Sequence, residues 1–428
     1  MRRALLASLL LLAATAAPAA ADYGDDCEPL GAQVQSTVCH GADVISRDAA
    51  AATADHEPAV AAAQKSWTSK ALAFQFALGD TVPLRNAQWA GTHNSFNSIA
   101  EMGLALSVMD SNQQLSLVDQ LRVGVRSLEL DVHWFPSARG GGMAPVVCHA
   151  QEGAGCSVEK PLGETLAPIG EWLRGHRDQV LFLYLENQLR GEEGSDAAAA
   201  AIEAEIGDLV LRPAGKPGDC AQLPYAATRE DVLDAGKQVV IVSNCGDGAA
   251  WRSWSYGWGD HVETRPQGFD GCHADFDRRT YDATIVRYFE DDTWLTSAAS
   301  NAGASSRDDG LTAETTALMT RCGVDLLGWD QLAANDARLD ATIWSWAQGQ
   351  DVAAKCAAQR PSDGRWVAGA CREKRRFVCR SSSGAFTVTP KRLRGDRPPA
   401  GCLAPRTGWE NAQARDAAAG ETVWLGRR

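Results

Sequence analysis

Histidine, asparagine and carboxylate side chains gather in four short stretches of this 428-residue chain. His93 and Asn94 stand in GTHNSF, Glu129 and Asp131 in RSLELDVHW, His149 in VVCHA, and Glu186 beside Asn187 in LYLENQ. In an extended strand Glu129, Asp131 and His133 share one face, and Leu128, Leu130 and Val132 share the other. Three carboxylates brought together repel by about 1 kcal/mol per pair at 4 Å in water and by about 4 kcal/mol at an effective dielectric of 20. Arg126 lies an odd number of residues from Glu129 and should face away, and no other lysine or arginine stands at these strand ends. A bound cation resolves the repulsion. Oxygens from Asn94, Glu129, Asp131 and Glu186 suit Ca2+ best, Mg2+ next, and Zn2+, which would take the imidazoles, third. His93 and His149 are then left for proton transfer and for stabilising a phosphoryl transition state, each acid–base contribution being worth about 10²–10⁴ in rate. The set suggests phosphodiester cleavage.

Four segments can deliver their side chains to one place only if they are held side by side. Short apolar runs at 86–91, 125–134, 146–149, 180–186, 239–242 and 324–329 read as buried strands. Helices are expected at 113–121, 165–174 and 197–210, so strand and helix alternate. The expected fold class is α/β, an irregular TIM-type (β/α)8 barrel over 81–343. A doubly wound open sheet competes, but no G-x-G-x-x-G turn follows a candidate strand. In a barrel the C-terminal strand ends open on one mouth, which would assemble the four stretches. Arg287 in VRYFEDD and Asp330 in LLGWDQL lie near later barrel elements, either structural or within reach of the substrate or a histidine. Trp251, Trp254 and Trp258 in WRSWSYGW read as a lipid-docking rim, since tryptophan favours membrane interfaces, or as packing beneath a loop.

The first 21 residues, two arginines, an apolar run and a closing Ala-Ala-Ala, have the pattern of a secretory leader cleaved before Asp22. The apolar run is shorter than the ~20 residues of a membrane span. A secreted, extracellular protein is expected. The cysteines number twelve and are dispersed, which in an exported chain argues disulfides rather than a zinc site. Cys27 and Cys39 would clip a loop in an N-terminal extension, 22–80, whose 60–77 segment suits a helix. The net charge of −13 repels polyanions, so nucleic acid is excluded as a partner. After Trp344 the alternation stops, and 344–428 reads as a small disulfide-stapled β-rich domain with KRLRGDRPPA as a linker or loop inside it. A monomer is expected.

In order, spacing and residue type, GTHNSF, RSLELDVHW, the strand ending in His149 and LYLEN resemble the X region of phosphatidylinositol-specific phospholipase C and the wider phospholipase C-like phosphodiesterase superfamily. The likeness is strong over 83–188 and weaker as far as Trp329. It implies that His93 stabilises the pentacoordinate phosphoryl group, that His149 is the general acid, and that Asn94, Glu129, Asp131 and Glu186 bind Ca2+, with Glu129 or Glu186 as base. The other bacterial branch carries an arginine where Asp131 stands and an aspartate where Asn94 stands, so both residues point to the calcium branch. The implied reaction cleaves phosphatidylinositol at a membrane surface to diacylglycerol and a cyclic inositol phosphate. A glycerophosphodiesterase or sphingomyelinase-type activity is the alternative, and an inactive barrel serving as a secreted binding protein is a third reading. His133 replaces an aromatic residue of the animal enzymes, and its expected role is a hydrogen bond behind the metal ligands. The tail resembles a C-type-lectin-like module in permuted order: WSWAQGQ to RRFVC looks like its end, and GWENAQARDAA with VWLG like its beginning. That resemblance implies the pairs Cys356–Cys371 and Cys379–Cys402 and a structural role or a protein contact rather than sugar binding.

Overall fold

A computed structural model describes residues 56–426 apart from 103–110, 138–141, 150–155, 157–159, 216–217, 225, 247, 259–260, 264–268, 270, 273–284 and 292–309. The leader and the Cys27–Cys39 clip lie outside the described residues. Helices α1 (Glu57–Lys65) and α2 (Trp67–Leu78) precede strand β1 (Trp89–Thr92). The single helix expected over 60–77 is broken at Ser66, whose side chain caps α2 by accepting a hydrogen bond from Ser69 N. Next come α3 (Ile99–Met102), α4 (Leu117–Val123), β2 (Ser127–Pro136), β3 (Met143–Val147), β4 (Lys160–Pro161), α5 (Leu162–Gly175), β5 (Leu181–Gln188) and α6 (Glu192–Ile206). The series continues with α7 (Arg229–Asp234), β6 (Val239–Val242), α8 (Ala249–Arg252), β7 (His261–Glu263), β8 (Val286–Phe289), α9 (Ala313–Cys322), β9 (Leu326–Trp329) and α10 (Ala337–Ala341). Among the described residues no helix is long and apolar enough to cross a membrane.

Strands β6-β5-β2-β1-β9-β8-β7 lie side by side in that order, all parallel. The sheet curls on itself. The Arg287 guanidinium of β8 lies 4.8 Å from the Tyr184 ring of β5, although β2, β1 and β9 intervene. In a flat sheet four steps of about 4.8 Å would hold them roughly 19 Å apart. Trp89 of β1 likewise stacks on Phe182 of β5 at 5.1 Å. This is an irregular TIM-type α/β barrel, and among the described residues no ladder joins β6 to β7.

Alternation along the strands sorts the apolar residues into two cores. Trp89, Phe182, Val240, Val242, Tyr256 and Leu326 fill the barrel interior. Leu128, Leu130, Leu183, Leu185 and Ile241 face outward and pack with the apolar sides of α4, α5 and α6. Fully burying one such side chain is worth about 1.5–3 kcal/mol. One expected strand departs from the pattern: β3 runs antiparallel to β2, with Val132 opposite Val147, and pairs in turn with β4. His149 therefore reaches the mouth from a hairpin and not from the C-terminal end of a parallel strand.

The tail forms its own sheet, in the order β11 (Trp366–Ala368), β10 (Ala357–Gln359), β16 (Val423–Leu425), β13 (Phe377–Arg380), β14 (Phe386–Val388). Helix α11 (Gly408–Ala418) packs beside it, and the segment expected as a linker contributes β15 (Leu393–Arg394), paired with β12 (Lys374–Arg375). Cys356 is bonded to Cys371 and Cys379 to Cys402, the pairs that the lectin-like resemblance implied. Phe74 of α2 meets Trp346 and Trp366 edge-on, each at 5.8 Å, so the N-terminal helix pair is built into the tail's core.

Gly91 sits where β1 is pressed between β9 and β2: a Cβ there would lie 2.9 Å from Leu327 O and 3.1 Å from Ser127 Cβ. Gly91→Ala is expected to cost about 1–3 kcal/mol of stability by overpacking. Urea unfolding measures it, and a loss below about 0.5 kcal/mol would show that the strands part freely at this point.

Candidate active site

Glu129 and Asp131 project from the inward face of β2, and the β2–β5 ladder sets Asp131 directly opposite Glu186. Carboxylate oxygens of all three lie within 4.8 Å of one another. Glu129 is 8% and Asp131 5% exposed. Burial raises the pKa of both: Glu186 and Glu129 push Asp131 further up, while His93 and Arg287 draw Glu129 back. One end of the Asn94 amide lies 3.1 and 3.2 Å from the two oxygens of Asp131. With NH2 there it donates to the carboxylate. With its carbonyl oxygen there it is an acceptor facing acceptors, which a cation or a proton on Asp131 reconciles. Asn94 adopts a left-handed φ of 41°, a conformation that asparagine tolerates better than most residues. The three carboxylates and this amide fit a hard divalent cation.

The expectation that no basic residue serves these carboxylates is corrected by β8. Arg287 points inward from it, buried, with its guanidinium over the rings of Tyr184, Trp258 and Phe289. Its charge acts on Glu129 and His93. Arg126, as expected, faces away, over Trp172 and Phe76.

The two histidines are tied into one polar chain. His93 Nδ1 is 3.2 Å from Asp330 Oδ1, and its ring stacks on Phe289 at 4.8 Å. Burial lowers its pKa, against the pull of the Glu129 and Asp291 charges. Asn112 Nδ2 donates to Asp330 Oδ2 at 3.1 Å, Asn97 Nδ2 to Asn112 Oδ1 at 2.7 Å, and Asn97 Nδ2 lies 3.3 Å from His149 Nδ1. Direction in this chain is set by its carboxylate, which when ionised only accepts. Asp330 thus takes the Nδ1 proton of His93 and turns the NH2 of Asn112 toward itself. Asn112 then presents its oxygen to Asn97, and the Asn97 NH2 donates to His149. Nδ1 is a donor in His93 and an acceptor in His149, so the two neutral rings are held in opposite tautomers.

Backbone placement rests on glutamines and a glutamate. Gln113 Nε2 donates to His93 O and Trp329 O, both at 2.7 Å, clamping the end of β1 to β9. The helix expected from Gln113 instead begins at Leu117, where the Ser116 side chain accepts from Asp119 N. Gln120 Nε2 donates to Ser95 O at 2.8 Å, and Ser95 Oγ accepts from Glu129 N at 2.8 Å. Glu290, pushed up to about 7 by burial, accepts from Asp330 N and from Arg338 Nη1.

His133 shares the inward face of β2 beyond Asp131. Its hydrogen bond goes to the backbone of Cys148 rather than to a carboxylate, and its Nε2 is buried without a hydrogen bond. Cys148 and Cys156 lie beside it but are bonded to each other, so this trio is no metal site. The tryptophans read as a lipid-docking rim or as packing are packing: Trp251, Trp254 and Trp258 are all buried, with Arg212 lying 3.9 Å over Trp254.

Asn97 stood next to a motif already singled out, whereas Asn112, Gln113 and Glu290 carried no signal of their own. Asp330 and Arg287 carried two readings each.

A family described as the Rv2075c PI-PLC-like domain matches residues 50–336. Two Mycobacterium tuberculosis proteins, MT2135 of strain CDC 1551 and Rv2075c of strain H37Rv, both uncharacterized, are 37% identical over 379 residues, covering 82% of this chain and 77% of theirs. Among solved structures, the phosphatidylinositol-specific phospholipase C of Listeria monocytogenes aligns with a TM-score of 0.42 at 13% identity, over 63% of this chain and 96% of that one. A calcium-dependent phosphoinositol-specific phospholipase C from a Pseudomonas species aligns with 0.33 at 16%, over 62% and 94%. By the family match and the mycobacterial relatives, the chain belongs to the Rv2075c PI-PLC-like domain family, and its barrel is a phospholipase C-like enzyme domain of the phosphoric diester hydrolase class.

Proposed function

We propose that the protein is a secreted, Ca2+-dependent phosphodiesterase that cleaves phosphatidylinositol at a membrane surface into diacylglycerol and a cyclic inositol phosphate. The observation that carries this reading is the junction of three carboxylates, with oxygens within 4.8 Å of one another, and two histidines locked in opposite tautomers. Asn94, Glu129, Asp131 and Glu186 would hold the ion. Bound there, Ca2+ would raise the acidity of the inositol 2-hydroxyl and offset phosphate charge.

The tautomers support a division of labour. His93, with Nδ1–H committed to Asp330, offers the lone pair of Nε2 and takes the 2-hydroxyl proton as that oxygen bonds to phosphorus. The resemblance cast His93 as a donor to the phosphoryl group, which needs a protonated ring, but burial favours the neutral one. Glu129 and Glu186, the implied bases, would be occupied by the ion. His149, with Nδ1 accepting from Asn97, carries its proton on Nε2 and gives it to the glycerol oxygen as the P–O bond breaks. Arg287 and the aromatic rings around it form the inner wall against which the head group would rest. The leader-like first residues and the disulfides Cys148–Cys156, Cys220–Cys245, Cys272–Cys322, Cys356–Cys371 and Cys379–Cys402 support export.

A phospholipid panel read by phosphorus NMR is expected to give a cyclic inositol phosphate from phosphatidylinositol with Ca2+ and no product with excess chelator. Product from phosphatidylcholine or sphingomyelin instead would overturn the head-group assignment, and turnover in chelator would remove the ion. His93→Ala and His149→Ala should each lower kcat by about 10²–10⁴ with the near-UV circular dichroism unchanged; a loss under tenfold in either would exclude it as base or acid. Because the lowered pKa of His93 keeps it neutral above that value, kcat/KM should stay high as pH falls to 6.5 and drop only below it. The nearby cation would lower that pKa further. An acid limb centred above 6.5 would contradict the assignment of His93 as base.

A further inference from the structure

The opposite end of the barrel holds a second charge problem, of opposite sign. A cavity of about 120 Å³ lies against the N-terminal ends of β1, β2, β5 and β9, beneath α2. That volume is comparable with the roughly 150 Å³ of an engineered cavity that accepts benzene, and well above one water's share of about 30 Å³. Arg126 and Arg229 both line it. Arg126 donates from Nε to Gln179 Oε1 and from Nη1 to Leu121 O and Val125 O, all at 2.7 Å; its Nη2 has no partner among the described residues. Every one of those partners is neutral. Arg229 is 1% exposed; its Nε meets Asp80 Oδ1 at 3.1 Å, its Nη2 donates to Phe76 O, and its Nη1 is buried without a partner.

Of the four guanidinium groups that line the cavity, Arg122 is paired with Glu57 and Asp119 and Arg406 with Glu410, whereas Arg126 and Arg229 have a single carboxylate, Asp80, bonded to the pair, with Asp325 in the same wall. Burial pushes each down to about 10; the Asp178 charge draws Arg126 back up while that of Arg229 lowers it, and Asp80 draws Arg229 back up. A buried charge that its neighbours only partly offset is costly, and two like charges lining one cavity compound it. Ser69, Gln88 and Thr320 add polar groups to the wall, while Leu72, Trp89 and Leu327 close its apolar side.

We propose that this cavity binds a small oxyanion of the phosphate class between Arg126 Nη2 and Arg229 Nη1. Arginine's planar fork suits such an ion, which would neutralise the pair and fasten α2 to the base of the barrel. The site lies at the far end of the barrel from the carboxylates and histidines and does not depend on the reaction proposed for them.

The test is thermal unfolding of the whole protein with inorganic phosphate against chloride at matched ionic strength, in chelator so that the carboxylate cluster carries no metal. A saturable rise is expected, about 3 °C at a hundredfold excess over Kd. Arg126→Met removes one fork. Ser69→Glu places a carboxylate at the cavity wall in the first turn of α2, a position where glutamate supports the helix, so the variant should fold and compete with phosphate. Loss of the phosphate effect in both variants supports the site, and if Arg126→Met fails to fold, Ser69→Glu decides alone. No saturable rise in the parent protein would mean that water fills the cavity. A rise that persists unchanged in Ser69→Glu would place the ion elsewhere. Either result overturns the proposal.

Discussion

The burial of Glu129 and Asp131 on one strand face is the constraint that organises the barrel. A strand whose inward face carries two carboxylates cannot be closed against an ordinary apolar interior, because desolvating a carboxylate without a partner costs several kcal/mol. The interior is accordingly layered. Trp89, Phe182, Val240 and Leu326 make an apolar plug below, and the charged residues are confined to the level above it. At that level β1 and β8 contribute groups that either tolerate or counter negative charge: Asn94 and His93 after β1, the latter packed on Phe289, and Arg287 on β8. The pKa of Glu129 and of Asp131 is raised, chiefly by burial and further by the neighbouring carboxylates, in spite of these neighbours. A divalent cation, as proposed above, would supply the missing counter-charge, so this electrostatic stress coincides with the candidate chemistry.

The second organising feature is directional. A carboxylate with no donor fixes the orientation of every amide in a chain that ends on it, because each amide has one donating and one accepting end. Asp330 is that carboxylate, and its own placement is fixed from behind by Glu290, which accepts from its backbone N–H and is itself bridged to Arg338. The chain therefore carries tautomer information from the far side of β9 to the hairpin that bears His149. That hairpin needs the link most. β3 is antiparallel and belongs to no βα unit, so the regular barrel geometry that positions His93 does not position His149.

Alternation in LELDVHW was enough to put Glu129 and Asp131 on one face, and the apolar runs located β1, β2, β5, β6 and β9 to within a few residues. Periodicity says which face a residue takes but not which way a neighbouring strand runs, which is why the hairpin direction of β3 was not legible. Arg287 escaped for a related reason: in VRYF its alternation is legible, but only closure of the sheet tells that its face is the interior. The tryptophans of WRSWSYGW left two readings open because tryptophan suits both a lipid interface and a core, and the structure gives the packing one. The sequence places Gln113 at the start of a helix, yet its buried amide instead bridges two backbone carbonyls across β1 and β9.

The two ends of the barrel pose mirror-image problems over a short distance. Strands β1, β6, β8 and β9 are four residues each, about 13 Å long, so the carboxylate level and the arginine level are separated by little more than the plug of Trp89, Phe182 and Leu326. Through a medium of effective dielectric 20, opposite charges about 13 Å apart still attract by roughly 1 kcal/mol. Arginines at the base therefore partly offset carboxylates at the mouth, and the offset weakens when either end gains its counter-ion. An ion bound at one end would remove the repulsion that the residues there exert on an ion of opposite sign at the other, so the two sites as proposed would favour one another through the plug. Because α2 roofs the base and also reaches Trp346 and Trp366 in the tail, an anion held at the base would bear on the packing of the tail as well as on the mouth.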